Sequence, residues 1–290
     1  MVVAACSGSD GSEADWMAAL ADARGVAELS IPGTHDSGAL LEPILGVARA
    51  QQLAIADQLV AGVRYLDLRC RHYQNAFLIY HGPIDQDQTF DDVLATMAKF
   101  LDEHPGETLI VSVKEEAAPQ GNTRSFEATF AAYVAQAPDR WYLGDTLPRL
   151  GDVRGRLVLL RRFAAIAAPL GIDGSAWADN TTFSLTTAAS LRIEDDYIVT
   201  DNAAKWTAIT ALLAEARSGD AATLFLDYTS GYQTMSGLPN IPSVAGDINA
   251  RLDGLLADPD NRRARLGVLV MDFVTAARAA AIIATNPTAR

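Results

Sequence analysis

The chain has 290 residues, 49% of them hydrophobic, which is enough for the core that an α/β barrel builds as a single domain. Its net charge is -13, with lysine only at Lys99, Lys114 and Lys205, so the overall field opposes nucleic acid and strongly anionic membranes as partners. No apolar run reaches the length of a membrane span, and any anionic substrate needs a local cluster of arginine and lysine to hold it.

The chain opens with Met1-Val2-Val3-Ala4-Ala5-Cys6 and then a Gly/Ser/Asp-rich stretch to Asp15. Small residues before a cysteine and a polar tether after it resemble the tail of a bacterial lipoprotein signal, without its charged n-region. Two readings stay open: a frayed start, or a secreted or cell-envelope protein lipid-anchored through Cys6. Residues 1–15 are predicted to be flexible and 16–290 to form the domain. Cys6 and Cys70 are not expected to pair.

Trp16 to Ala23 reads as a short helix and Val26 to Ile31 as the first strand, which Pro32-Gly33 should end. The turn then presents Thr34-His35-Asp36-Ser37, a poor set for a core and a good one for a reactive rim. Helical spacing from Gln51 to Ala61 stops at Gly62, and Val63 to Arg69 alternates apolar and polar as a strand does. A third strand, Ala76 to Tyr80, leads to His81-Gly82-Pro83. Thr89 to Glu103 is an amphipathic helix, and Glu107 to Val113 a fourth strand ending at Lys114. Phe126 to Gln136 is helical, and Gly155 to Leu160 is a strand followed by Arg161-Arg162. A loop holding Trp177 leads to a weak strand near Tyr197 to Thr200. Ala203 to Arg217 reads as helix, Thr223 to Tyr228 as strand, Ile248 to Leu256 as helix and Gly267 to Asp272 as strand.

Eight candidate strands alternating with helices predict an α/β, distorted (βα)8 TIM barrel in a single domain. The competing fold, an open doubly wound sheet, is weakened because no Gly-rich phosphate-binding fingerprint follows the first strand. In a barrel the strand ends converge on one rim, which gathers His35, Asp36, Asp67, Arg69, His81, Lys114, Arg162 and Asp272. Two imidazoles, a guanidinium and carboxylates that orient them are the parts that phosphodiester cleavage needs. Each has a plainer reading: Asp67 and Arg69 as a structural ion pair, His81 as a donor to a backbone carbonyl. His72 and His104 read as surface histidines.

The segments Ser30-Ile31-Pro32-Gly33-Thr34-His35-Asp36-Ser37-Gly38, Gly62 to Arg69, His81-Gly82-Pro83, Leu109 to Lys114, Leu159 to Arg162 and Val270 to Phe273 closely resemble the bacterial phosphatidylinositol-specific phospholipases C, in order and spacing, from about Trp16 onward. The resemblance implies His35 as general base oriented by Asp272, and His81 as general acid supported by Asp36. It implies that Arg69, with Asp67, stands where related enzymes hold calcium, and that Lys114, Arg162, Asp195 and Tyr197 hold the inositol ring. Asp195 is the weakest of these, since Glu194-Asp195-Asp196 offers three acids for one place. The expected reaction yields diacylglycerol and inositol 1,2-cyclic phosphate, then inositol 1-phosphate, with no metal or other cofactor. Whether glycosylated inositol lipids are also substrates is left open. A monomer in transient contact with a membrane surface is expected, docking through apolar residues among Trp141, Phe163, Trp177 and Tyr232. The rival readings are a glycerophosphodiester phosphodiesterase, whose His-Arg-Gly-type opening is absent here, and a non-catalytic inositol-lipid binding module.

Overall fold

The computed structural model describes residues 13–287. Its strands are β1 (Ile31–Thr34), β2 (Tyr65–Tyr73), β3 (Ala76–His81), β4 (Ile84–Thr89), β5 (Leu109–Gln120), β6 (Trp141–Tyr142) and β7 (Leu157–Arg162), followed by β8 (Ile172–Asp173), β9 (Thr181–Thr186), β10 (Ser190–Asp195), β11 (Thr223–Tyr228), β12 (Gln233–Met235), β13 (Leu238–Asn240) and β14 (Val268–Met271). The helices are α1 (Ile55–Val60), α2 (Phe90–Glu103), α3 (Phe126–Gln136), α4 (Leu150–Val153), α5 (Asn202–Ser218), α6 (Ile241–Ala257) and α7 (Ala276–Ile283). Side chains cap the longer ones: Thr89 accepts from the Asp92 amide, Ser125 from Ala128, Asp201 from Ala203 and Asn240 from Ser243.

A row β7-β5-β2-β1-β14-β11-β10 pairs in parallel throughout. It curls into a distorted TIM barrel that stays open, with β6 at one edge of the path and antiparallel β9 at the other. The predicted eight-strand row loses one member. Ala76 to Tyr80 lies in β3, joined to β2 by a hairpin whose turn residues Gln74 and Asn75 have φ of 49° and 63°. A two-residue turn reverses the chain and cannot make the crossover that a parallel neighbour requires.

The first strand also falls in a different place. Val26–Glu28 is a 3₁₀ turn, and the strand is the Ile31-Pro32-Gly33-Thr34 motif itself, in the middle of the sheet. Pro32 is tolerated because pairing with β2 begins only at Gly33, so its missing donor breaks no ladder bond, while its carbonyl accepts from the Arg64 amide at 2.9 Å. Gly33 is needed for contact: a Cβ there would lie 3.1 Å from Tyr65 Cβ and 3.2 Å from the Leu269 carbonyl. The weak strand near Tyr197 moves back to β10, since Ile198 makes only an isolated bridge to Tyr232.

Two apolar layers result. Inside the curl, Ile31, Tyr65, Ile110, Val158, Leu160, Leu191, Ile193, Leu224, Leu226, Val268 and Val270 pack together with Trp16, Met17, Val26 and Leu29. Those N-terminal residues add apolar surface to the interior without forming a strand, which explains the misleading run from Val26. Outside, Leu66, Leu68, Val111, Leu159 and Met271 pack with residues of the helices. The predicted loose segment ends too late at Asp15, because Glu13–Asp15 already forms a turn with Ala14 buried. Cys6 lies outside the described residues, and Cys70 is a buried free thiol.

Candidate active site

Period-two alternation places the site. On each parallel strand the residues facing into the curl are apolar at the base and polar at the top: Tyr65-Asp67-Arg69 on β2, Ile110-Ser112-Lys114 on β5, Val158-Leu160-Arg162 on β7. The same holds for Leu191-Ile193-Asp195, Leu224-Leu226-Tyr228, Val268-Val270-Asp272 and Ile31-Gly33-His35. The polar ends line or underlie one cleft of about 370 Å³. His35, His81 and Asp272 are each followed by a left-handed residue, Asp36 at φ 41°, Gly82 at 52° and Phe273 at 50°. The chain therefore turns sharply directly after each of these side chains, leaving the sheet after His35 and Asp272 and reversing into β4 after His81.

The two imidazoles face each other nearly edge to face, with ring centroids 6.2 Å apart. His35 Nδ1 lies 2.8 Å from Asp272 Oδ1 and Nε2 lies 2.8 Å from Arg69 Nη2. A guanidinium can only donate, so Nε2 carries the lone pair and Nδ1–H donates to the carboxylate. Burial and the Arg69 charge press the His35 pKa down, yet Asp272, by charge and hydrogen bond, and Asp67 outweigh them, and the net direction is upward. His81 donates from Nδ1 to the Ala48 carbonyl at 2.5 Å, which leaves Nε2 turned to Asp36 Oδ2, 3.7 Å away. Neither Asp36 oxygen has a hydrogen-bond partner among the described residues, and burial pushes its carboxyl up against the pull of His81 and Arg69.

Arg69 also donates through Nε to Asp67 Oδ2 at 3.1 Å, and its Nη1 stands 3.4 Å from Glu116 Oε1. Although buried, Asp67 is held below the usual carboxylate range by Arg69 and Arg162. Arg162 lies against Trp177, with 3.9 Å from the guanidinium carbon to a ring centroid, and Trp177 Nε1 donates to Asp195 at 2.9 Å. Lys114 pairs with Glu116 at 2.7 Å. Tyr197 donates its hydroxyl to Asp179.

Every site residue expected from sequence is therefore in one place: His35, Arg69, His81, Lys114, Arg162, Asp195 and Tyr197 line the cleft, with Asp36, Asp67 and Asp272 in contact with them. Among the three consecutive acids, Asp195 lines the cleft, whereas Glu194 points away to a buried pair with Lys205 and Asp196 accepts from Thr182. Sequence reasoning missed Glu116. It sits at a bulge, because Cys70 pairs with Glu115 and Arg71 with Ala117, and nothing in the local pattern announces that extra residue. His72 is 2% exposed, between Phe77, Phe126 and Thr129, not at the surface; its aromatic neighbours come from distant segments. His104 is partly buried against Asp15.

A curled parallel sheet with a polar cleft at the C-terminal ends of its strands defines a barrel enzyme of the TIM type. Residues 34–163 match the family described as phosphatidylinositol-specific phospholipase C, X domain. A 1-phosphatidylinositol phosphodiesterase of Listeria monocytogenes is 31% identical over 274 residues, covering 89% of this chain and 80% of that protein. One from Staphylococcus aureus is 28% identical over 279 residues, covering 90% and 88%. A crystal structure of phosphatidylinositol-specific phospholipase C from S. aureus superposes with a TM-score of 0.87 at 27% identity, over 95% of this chain and 98% of that one. The chain belongs to the phosphatidylinositol-specific phospholipase C family and is a phosphodiesterase.

Proposed function

We propose that the protein cleaves phosphatidylinositol in two acid–base steps. In the first, His35 Nε2 takes the proton of the inositol 2-hydroxyl while Arg69 turns to the phosphate oxygens. The hydroxyl oxygen attacks phosphorus, the bond to the glycerol oxygen breaks, and His81 gives that oxygen its proton, releasing diacylglycerol and inositol 1,2-cyclic phosphate. In the second step the histidines exchange roles and water opens the ring to inositol 1-phosphate. Asp272 orients His35 and Asp36 supports the charged form of His81. Lys114, Arg162, Asp195 and Tyr197 hold the ring hydroxyls.

The observation that carries this reading is the pair of imidazoles 6.2 Å apart, one of them in contact with a guanidinium. Arg69 also supports a metal-free reaction: a hard cation needs converging oxygens, and a permanent positive charge at the same point repels it. Phosphorus NMR of products from phosphatidylinositol, in chelator, tests the reading. Wild type should give the cyclic phosphate signal first and His35→Ala almost none; equal activity in both removes His35 as the base.

Burial speaks against two of the four aromatics expected at the lipid surface. Trp141 and Phe163 are buried in the core at 3% and 5% exposure, Trp177 supports Arg162, and Tyr232 lines the cleft half-buried. Among the exposed apolar residues, Leu45 at 86%, Ile166 at 97% and Met235 at 54% each lie in a connection that follows the C-terminal end of a parallel strand, β1, β7 and β11 in turn, whereas Val60 at 58% lies on α1. Core aromatics and docking aromatics look alike in sequence. Among the described residues no helix is long and apolar enough to cross a membrane, so we infer reversible docking by these loop tips.

A further inference from the structure

Gln51 lies outside the cleft, touches no substrate position and is fully buried, so the chemistry proposed above gives it no role. Its hydrogen bonds are nevertheless spent on the two strand ends that carry His35 and Asp272. Nε2 donates at 2.8 Å to the His35 carbonyl and at 2.8 Å to the Met271 carbonyl, and Oε1 accepts from the Val274 amide at 3.2 Å. The Met271 carbonyl also accepts from the His35 amide at 2.9 Å, so the end of β1, the end of β14 and the Gln51 amide meet at one oxygen. The neighbouring Ala50 carbonyl accepts from the Phe273 amide at 2.7 Å, where the backbone is left-handed.

We propose that Gln51 is a positioning residue: by clamping the carbonyls of residues 35 and 271 it sets the spacing and tilt of the His35 and Asp272 side chains. The inference rests on the assignment of that pair as the base and its orienting carboxylate. Both strands end at these residues, so no further ladder bond holds them in register, and the side-chain amide supplies the missing tie. The same segment reaches the other histidine, since Ala48, three residues earlier, offers the carbonyl that holds His81. A side-chain amide of like burial ties down the opposite end of β1: Asn286 accepts from the Ser30 amide and donates to its carbonyl, away from the cleft.

That contrast supplies the experiment. Gln51→Leu keeps the volume and removes the tie, and Gln51→Met serves if the leucine variant does not fold. Asn286→Ala removes a comparable clamp with no bearing on the histidine. The His35 ring is followed by NMR titration, beside kcat and KM on a soluble inositol phosphodiester. The Gln51 variant should show the His35 midpoint displaced downward as the Asp272 contact loosens, and kcat lowered about tenfold to a hundredfold, the size that small misplacements of reacting groups bring. KM should stay within about twofold. Asn286→Ala should lower the melting temperature and move neither His35 nor kcat. A Gln51 variant that loses only melting temperature, with His35 titrating as in wild type, overturns the proposal. Undiminished activity of His35→Ala instead overturns the assignment of the base, while the titration still reports whether Gln51 positions the pair.

Discussion

Trp177 lies against Arg162 with its ring centroid 3.9 Å from the guanidinium carbon, and it is tied in place by its own hydrogen bond to Asp195. Arg162 Nε is buried with no hydrogen-bond partner among the described residues, so the stacking face, a 3.3 Å hydrogen bond from Nη1 to the Tyr228 hydroxyl and the acids at 3.5 and 3.9 Å are what hold the group. Removing the ring should free the guanidinium. Trp177→Ala is expected to raise KM for a soluble inositol phosphodiester about tenfold, the size of a desolvated cation–π contact of ~1–2 kcal/mol, with a smaller change in kcat. Steady-state kinetics without vesicles checks this, because membrane docking then plays no part.

The rate should be bell-shaped in pH, since His35 must be neutral while His81 is charged. Asp272 holds the His35 pKa above its ordinary value, so the rising limb, set by loss of the His35 proton, lies at higher pH than an unperturbed imidazole would place it. Asp272→Asn removes the charge that favours imidazolium. The limb should move to lower pH and the maximal rate should fall; a limb that stays in place separates Asp272 from the titration of His35.

Exposed loop-tip residues should govern vesicle binding and nothing else. Leu45→Ser is expected to weaken binding to neutral-lipid vesicles about tenfold, from loss of ~1.5 kcal/mol of apolar burial, and to leave turnover of dispersed substrate unchanged. Raising salt should release little protein, because the net charge of -13 provides no attraction to screen. Vesicle cosedimentation measures both.

Chelator should leave activity intact and added calcium should not raise it, given Arg69 between His35 and Asp67. Product formation in excess chelator, with and without added calcium, decides this. Calcium-restored activity would contradict the role given to the guanidinium.

Glu116 offers a stability test. Burial works to raise its pKa, but Arg69 and Lys114 hold it down to about 2, below the ordinary 4.5. A carboxylate with a depressed folded-state pKa stabilises the fold above its unfolded value, and that contribution is lost as pH falls from about 4.5 toward about 2. Glu116→Gln should therefore melt below wild type near neutral pH and converge with it near pH 2. Parallel melting curves across that range would deny Glu116 its ion pairs.

Much of the site was legible because the signals that mark it are local. The alternation in Tyr65-Leu66-Asp67-Leu68-Arg69 put Asp67 and Arg69 on one face, and His35 and His81 stand beside Gly and Pro where strands end. Pro32 misled for an equally local reason, since only the late start of pairing with β2 makes a proline harmless there. Glu116 was invisible because a bulge depends on the partner strand, and the burial of Trp141 and Phe163 was hidden because an aromatic carries no mark of what it packs against.

The sequence by itself determined that Asp67, Arg69, Lys114, Arg162 and Asp272 stand at the ends of strands, through a two-residue period that needs only neighbouring residues. Which group meets which was decided by the tertiary structure alone. His35 and Asp272 are 237 residues apart and touch because β1 and β14 pair in the middle of the sheet. Pairing order and curl come from burial of the whole interior, a free energy spread over every strand and written in no single stretch of the chain.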